Sequence, residues 1–314
     1  MPAGYHRSVS VDPPGRLEVT RDEALARHTY MRVGGPAEWF AEPADVEALD
    51  ALLAWAHEAG LAIRVLGGGS NVVVADAGVR GLVVSLRRCA SEMRFEERVV
   101  VAGGGTMLPA LARAAAEHDL GGLEFAIGIP GTVGGALQSN AGIGDGRAIG
   151  PLVEAVEVIE DGRRRHVEAS ELEFGYRTSS LRGSGALVIE ARLALEARPR
   201  AAVEAEMRRL LEARQASQPT AERNAGSIFR NPPGDFAGRV IEAAGGKGLR
   251  AGGAEVSAKH ANFIVLDASG TAADVVRLMG LVQERVESAL GLRLIPEVEW
   301  WGDGETPAPW RERA

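Results

Sequence analysis

The sequence predicts an α+β fold on three observations. Apolar strands are short, they alternate with amphipathic helices, and glycine-rich turns separate the two. The chain has 314 residues, of which 46% are hydrophobic and 25% are charged. That length and composition are typical of a globular protein with two or three domains, each with its own core.

Charge and hydropathy exclude several classes of protein. A net charge of −8 argues against a nucleic-acid partner, because phosphate binding needs a clustered cationic face. No apolar run approaches the roughly 20 residues of a membrane span, and residues 1–7 lack the apolar core of a signal peptide. A lone cysteine, Cys89, excludes an intramolecular disulfide and a multi-cysteine metal site. We therefore expect a cytoplasmic protein without nucleic-acid or membrane partners.

For the N-terminal part, the sequence predicts a leader, a helix and several strands. Residues 1–27 show no clear periodicity, so we expect a loosely ordered leader. Apolar residues at helical spacing predict a helix over 43–60, which Gly60 ends. Apolar, β-branched runs predict strands at 61–66, 72–74 and 82–84.

The turn Gly67-Gly68-Gly69-Ser70-Asn71 joins strand to strand. A Rossmann fingerprint or a P-loop leads from a strand into a helix, so neither explains this turn. Its glycines permit close approach of backbone N–H groups to a phosphate, with Ser70 and Asn71 as further donors. A tight structural turn with positive φ explains the same residues, and the two interpretations stay open at this point.

A second glycine-rich stretch, 121–150, contains few charges. It suits backbone packed closely against a buried planar ligand better than it suits short helix packing. Around it we predict strands at 98–102, 153–160 and 186–195 and helices at 107–118 and 200–215.

Gln218-Pro219-Thr220 ends the predicted helix over 200–215, and we predict the main domain boundary at this point. After the break we expect a terminal strand over 292–301 and a mobile tail over 303–314. The other elements predicted there are helices at 236–244 and 272–290 and strands at 254–256 and 261–267.

Four segments contain polar or charged residues of types that are rarely buried in an apolar core. Arg177, between an aromatic pair and a hydroxyl run, suits a carboxylate clamp, and a surface arginine is the alternative. Ser227 follows a glycine and precedes an apolar run, so it is a candidate donor or proton source, or a plain turn hydroxyl. The segment 257–263 mixes cationic and amide groups ahead of a strand.

Two carboxylates, Glu297 and Glu299, form the fourth segment. We expect them on opposite faces of the terminal strand, so that one is buried, has a raised pKa and suits acid–base work. An exposed terminal strand is the alternative. Because no HExxH, CxxC or GxSxG is present, neither a metal site nor acyl transfer is predicted.

Taken together, these segments resemble the MurB family, the UDP-N-acetylenolpyruvoylglucosamine reductases. The resemblance covers about residues 28 to 302, and its motifs occur in the family's order. The matching segments are 29–37, 67–71, 129–136 with 140–142, 175–177, 226–232 and 296–298.

The resemblance implies a two-part FAD-binding region of the PCMH (vanillyl-alcohol-oxidase) type, followed by an α+β substrate-binding domain. The implied domains are 28–85 and 86–199 for FAD and 200–302 for substrate. It also implies FAD as cofactor and NADPH as co-substrate. The implied cofactor residues are Gly67, Gly68, Gly69, Ser70, Asn71, Ile129, Pro130, Gly131, Thr132, Gly135 and Ala136.

The resemblance further implies that Arg177 and Glu297 stabilise negative charge on the enolpyruvyl carboxylate and that Ser227 supplies a proton. Tyr176 and Asn231 are implied to contact the substrate. Two positions depart from the family: Arg230 stands where lysine is common, and Glu299 where some members have arginine. With a short interval from Tyr176 to the strand at 186, the chain resembles the subtype that lacks a long tyrosine-bearing loop.

Two rival functions remain open from the sequence. A flavin oxidase of the same fold would act on a sugar or an alcohol with oxygen, without nicotinamide. A non-catalytic flavin- or UDP-sugar-binding protein would keep the glycine motifs without needing Arg177, Ser227 and Glu297 together. For the reductase we expect a monomer whose partners are UDP-N-acetylglucosamine enolpyruvate and NADPH.

Overall fold

The computed structural model describes residues 13, 15 and 17–311. Its first unit, residues 17–86, is a mixed sheet with strand order β1-β2-β5-β3, in which β1 is antiparallel to β2 and the other pairs are parallel. The helix α1 lies on this sheet, with Leu52 and Trp55 packed among Trp39 and Leu82. The elements are β1 (Thr20–Ala24), β2 (Pro36–Ala41), α1 (Val46–Glu58), β3 (Ile63–Leu66), β4 (Val72–Val74) and β5 (Val79–Ser85).

The second unit, residues 87–217, is built on an antiparallel sheet. Its strand order is β10-β9-β13-β7-β6, and the helices α2, α3 and α4 accompany it. The elements are β6 (Met93–Glu96), β7 (Val99–Gly103), α2 (Leu108–Glu117), β8 (Leu120–Gly121), α3 (Val133–Ser139), β9 (Val153–Glu160), β10 (Arg163–Glu168), β11 (Phe174–Gly175), β12 (Thr178–Ser179), β13 (Leu187–Ala194), β14 (Glu196–Ala197) and α4 (Arg200–Ser217). Short 3-10 helices occupy Glu124–Gly128, Gly150–Leu152 and Ala169–Glu171.

The third unit, residues 218–311, packs a long helix on a small antiparallel sheet of order β15-β16-β17. The helix α6 begins with a capping box in which Thr271 accepts from the Asp274 backbone, and it ends at Gly291 with a left-handed φ of 66°. The elements are α5 (Ala237–Ala243), β15 (Arg250–Ala251), β16 (Ala254–Val256), β17 (Ile264–Leu266), α6 (Ala272–Leu290) and β18 (Glu299–Trp301). Among the described helices, none combines the length and apolarity needed to cross a bilayer.

The third unit returns to the first through its last strand. β18 pairs in parallel with β4, so that Glu299 lies opposite Val72 and Trp301 opposite Val74. Asp76, just after β4, accepts hydrogen bonds of 2.9 Å from the backbone N–H groups of Ala272 and Ala273 at the start of α6. The chain end is thereby fixed to the strand that follows Gly67–Asn71.

Two expectations about the chain ends are wrong within the described residues, and their parts at residues 1–12, 14, 16 and 312–314 lie outside those residues. Residues 20–24 of the expected leader form β1, and Leu25 is fully buried, because β1 pairs with β2 at the edge of the first sheet. The expected mobile tail is docked as far as residue 311, with a 3-10 helix at Ala308–Trp310. The Trp310 ring lies 5.6 Å from the Trp300 ring and its Nε1 donates to the carbonyl of Val298 at 2.9 Å.

The helix α4 lies with the second unit. Val203 and Met207 are buried in the same cluster as the α2 residues Leu108 and Leu111. A division before Arg200 would separate α4 from the core it packs against. We therefore propose the break at 218–220, rather than residue 200, as the start of the third unit.

The docked C-terminal segment predicts a stability effect. Trp310→Ala removes a ring contact and a hydrogen bond, so we expect the free energy of unfolding to fall by about 1–3 kcal/mol. Urea unfolding followed by circular dichroism measures it. Glu305→Ala, at a highly exposed side chain of the same segment, is the matched control. Equal midpoints for the two variants would show that this segment does not contribute to folding.

Candidate active site

One large cavity lies where the three units meet. Its volume is about 1730 Å³, which exceeds the roughly 300–1,000 Å³ of a typical small-ligand pocket. The glycine turn after β3, the glycine-rich segment before α3 and the hairpin β11-β12 all contribute to its wall, as do residues of the third unit.

The two glycine-rich segments pack directly on each other. A Cβ at Gly67 would lie 2.7 Å from Thr132 Oγ1, and a Cβ at Gly68 would lie 2.8 Å from Gly131 Cα. Gly69 has a left-handed φ of 66°, which favours glycine. Side chains are therefore excluded here by both close approach and backbone conformation, and the two segments form one continuous wall.

Free N–H donors lie on the first segment rather than at the start of α3. The N–H groups of Val133 and Gly134 donate to backbone carbonyls, and that of Gly135 donates to Thr132 Oγ1 at 3.4 Å. By contrast, the N–H groups of residues 68–70 donate to no acceptor within the described part of the chain. A cradle of successive free N–H groups suits a phosphate anion. Of the two interpretations of this turn, the structure favours the anion cradle.

Arg177 lies at the tip of the hairpin β11-β12. Its φ of 56° is in the left-handed region, which is unusual for a residue other than glycine. Arg182 Nη1 donates to the Arg177 carbonyl at 3.1 Å, and Asn140 Nδ2 donates to the carbonyl of Gly175 at 2.9 Å. These two contacts hold the hairpin tip against the cavity.

Glu297 is the side-chain partner of Arg177. Arg177 Nε donates to Glu297 Oε1 at 2.6 Å, and the two side chains are 18% and 15% exposed. Burial raises the pKa of the Glu297 carboxyl above its ordinary range, and the charge of Arg177 lowers it by a smaller amount. The carboxyl therefore keeps its proton at pH values where an exposed glutamate has lost it.

The expected opposite orientation of Glu297 and Glu299 is wrong. Both side chains line the cavity, and Glu299 Oε1 pairs with Arg182 Nη2 at 3.1 Å. Residues two apart on an extended chain point to the same side, which explains the shared orientation. The terminal strand is also shorter than expected, because regular pairing with β4 begins only at Glu299.

Ser227 reaches the cavity from the segment between α4 and α5. Its hydroxyl forms no hydrogen bond to a described residue, so it is free to bind a ligand. Asn262, 3% exposed, holds the adjoining backbone: its Oδ1 accepts from Phe229 N at 2.9 Å and its Nδ2 donates to Phe229 O at 2.7 Å. The Ile228 carbonyl also accepts from Glu297 N at 2.8 Å, which ties Ser227 to the Glu297 segment.

Tyr176 and Asn231 lie together at the mouth of the cavity. Tyr176 is 51% exposed, and its hydroxyl accepts from Asn231 N at 3.3 Å. The side-chain oxygen Oδ1 of Asn231 accepts from Ala237 N at 3.0 Å, so it supports the start of α5. The two lysines of the chain line the same cavity: Lys247 pairs with Glu242, and Lys259 donates to the Gln215 carbonyl.

All the residues that the sequence pointed to for cofactor, catalysis and substrate line this one cavity. Three supporting residues were missed: Asn140, Arg182 and Asn262. Asn262 lies in the polar segment 257–263 that the sequence singled out without a role. Arg182 carries no local signal, because its partner Glu299 is far away along the chain.

Comparisons with known proteins agree with this architecture. A family model described as FAD binding domain matches residues 37–166, and one described as UDP-N-acetylenolpyruvoylglucosamine reductase, C-terminal domain, matches residues 218–301. The expected α+β fold, with an FAD-binding region followed by a separate domain, is confirmed.

Similar proteins match over almost their whole length. UDP-N-acetylenolpyruvoylglucosamine reductase 2 of Symbiobacterium thermophilum is 47% identical over 97% of this chain and 96% of its own. The Moorella thermoacetica reductase is 48% identical over 92% and 95%. The crystal structure of MurB from Thermus caldophilus is 39% identical, has a TM-score of 0.77, and covers 91% of this chain and 99% of its own. This chain belongs to the UDP-N-acetylenolpyruvoylglucosamine reductase (MurB) family.

Proposed function

We propose that this protein reduces UDP-N-acetylglucosamine enolpyruvate to UDP-N-acetylmuramate, a peptidoglycan precursor, with NADPH as the reductant and FAD as the cofactor. One observation carries the proposal: Arg177, Glu297 and Ser227 converge on a cavity that is also lined by a glycine cradle with free N–H donors. A cation, a buried acid and a free hydroxyl suit the reduction of an enol ether that carries a carboxylate.

The cradle fits FAD. Gly67, Gly68, Gly69, Ser70 and Asn71 would hold the diphosphate through free N–H groups and polar side chains. The second segment, with Ile129, Pro130, Gly131, Thr132, Gly135 and Ala136, offers a flat wall with few charges for a planar ring. Bound FAD supplies the hydride that it has accepted from NADPH.

Arg177 and Glu297 act on the substrate carboxylate. When the vinyl CH2 carbon is reduced, negative charge develops on the adjacent carbon and spreads onto its carboxylate. Arg177 uses Nε for Glu297, while its two Nη atoms bond no described residue and remain for a carboxylate. Glu297 in its protonated form adds a hydrogen-bond donor that would be lost on ionisation.

Ser227 completes the reaction by donating its hydroxyl proton to the carbon that carries the negative charge. An aliphatic hydroxyl is a weak acid, so the transfer depends on the strong basicity of that carbon. The oxygen of Ser227 then recovers a proton from water in the cavity. Asn262 keeps the hydroxyl in place through its two hydrogen bonds to Phe229.

An anaerobic titration tests the reaction class. The purified protein should be yellow, and NADPH should bleach the flavin absorbance in the absence of oxygen. UDP-N-acetylglucosamine enolpyruvate should then restore it and yield UDP-N-acetylmuramate. Rapid turnover of a sugar or an alcohol with oxygen instead would support the flavin oxidase, and a flavin that NADPH does not reduce would support a non-catalytic binding protein.

Ser227→Ala isolates the proton transfer. We expect normal flavin reduction by NADPH but reoxidation by the enolpyruvyl substrate slowed by about 10²- to 10⁴-fold, because the proton donor is gone. Stopped-flow absorbance resolves the two half-reactions. Ser269→Ala, in the third unit but outside the cavity, is the control. Near-normal reoxidation of the Ser227 variant would remove this hydroxyl from the mechanism.

The pH dependence tests Glu297. Because its pKa is raised and the protonated form is the active one, kcat should fall as pH rises through that pKa. Glu297→Gln keeps an uncharged donor, so it should retain more activity than Glu297→Ala and should lack this alkaline decline. A decline of the same midpoint in the Gln variant would assign the ionisation to another group.

A further inference from the structure

Arg214, on the last turn of α4, is a cationic side chain in the cavity wall without a counter-ion. Its side chain has no ion pair or hydrogen bond to any residue that the structure describes. The other arginines of the wall differ from it, since five of them pair with carboxylates and Arg87 is exposed to solvent. The paired arginines are Arg64, Arg164, Arg177, Arg182 and Arg239.

The position of Arg214 is defined by the two glycine-rich segments. A Cβ at Gly128 would lie 3.2 Å from Arg214 Cδ and 3.7 Å from Nη1, so the guanidinium lies over the start of the second segment. Tyr30 interacts electrostatically with Arg214, and its backbone N–H donates to the Gly69 carbonyl at 2.9 Å. Arg214 therefore lies beside the wall that both segments form.

This placement is unfavourable for a cation on its own. Partial burial lowers the pKa of the Arg214 guanidinium, because the charged form loses hydration without gaining a partner. A guanidinium held in this way is prepared to bind an anion, and phosphate oxygens match its planar array of donors.

We propose that Arg214 binds the diphosphate of FAD together with the N–H groups of residues 68–70. The diphosphate is the part of FAD that carries permanent negative charge, and the glycine cradle contributes neutral donors only. A cation is therefore needed to balance it, and Arg214 is the partly buried one that lacks a carboxylate partner among the described wall residues. The inference rests on FAD as the cofactor and is independent of the substrate.

Arg214→Met in the full-length protein tests the proposal. Methionine keeps the length and packing of the side chain but removes the charge. We expect the Kd for FAD, measured by flavin fluorescence on the apoprotein, to rise at least about tenfold, since a charge-assisted hydrogen bond is lost. Arg214→Lys should give a smaller rise. Arg208→Met, at an exposed position of α4 outside the cavity, is the matched control and should leave the Kd unchanged.

Two further measurements separate diphosphate binding from other roles. The Met apoprotein should be at least as stable to heat as the wild-type apoprotein, because an unpaired cation has been removed; a clear loss of stability would indicate a packing role and contradict the proposal. The midpoint potential of the bound flavin at saturating FAD should not change. A lowered potential with an unchanged Kd would place Arg214 at the flavin ring and overturn the assignment.

These measurements need no enolpyruvyl substrate. If the protein fails to reduce that substrate but binds FAD more weakly after Arg214→Met, the assignment of Arg214 stands and the proposed reaction fails. If turnover is normal and the Kd of the Met variant lies within about twofold of the wild-type value, the assignment fails alone.

Discussion

The parallel pairing of β4 with β18 is the interaction on which the rest of the site depends. β4 follows the glycine turn, and β18 follows Glu297, so one short ladder fixes the glycine turn relative to this carboxyl group. Side-chain and backbone contacts extend the ladder: Asn71 Nδ2 donates to the Glu297 carbonyl at 3.2 Å, and Glu299 N donates to the Asn71 carbonyl at 2.9 Å. Asn71 thus serves both as part of the predicted cradle and as the link to the third unit.

The charges of the cavity are arranged around this link. Two arginines of one hairpin region, Arg177 and Arg182, pair with two carboxylates of one strand segment, Glu297 and Glu299. Such pairs give little net stability, because desolvation offsets the Coulomb attraction of the largely buried Arg177–Glu297 pair and solvent screens the more exposed Arg182–Glu299 pair. Their value here is orientation: the pairs align a cation and an acid that both face the same ligand space, while Arg182 also holds the strained backbone of Arg177.

The sequence predicted helices and strands accurately where a periodic pattern of apolar residues extends over many positions. The helix over 272–290 and the strand over 153–160 have the predicted bounds, and the turn at Gly67–Asn71 joins two strands as expected. The site residues came from ordered motifs, and the structure brings them to one cavity. The orientation of Glu297 and Glu299 was a local error about the period of a strand. The other failures were non-local, because the docking of Trp310 on Trp300 and the pairing of β1 cannot be read from a short window. Arg182 and Asn262 were missed for the same reason, because their partners lie far along the chain.

The position of β18 near the end of the chain has a consequence for synthesis. Residues that complete the cavity, from Ser227 to Trp301, leave the ribosome after the whole FAD-binding region has been made. Until then β4 has no partner strand and one edge of its backbone is unpaired, which is a state prone to wrong association. A nascent chain therefore completes the cavity only after β18 has been made, and a chain that ends before Glu297 lacks both that acid and the partner strand of β4.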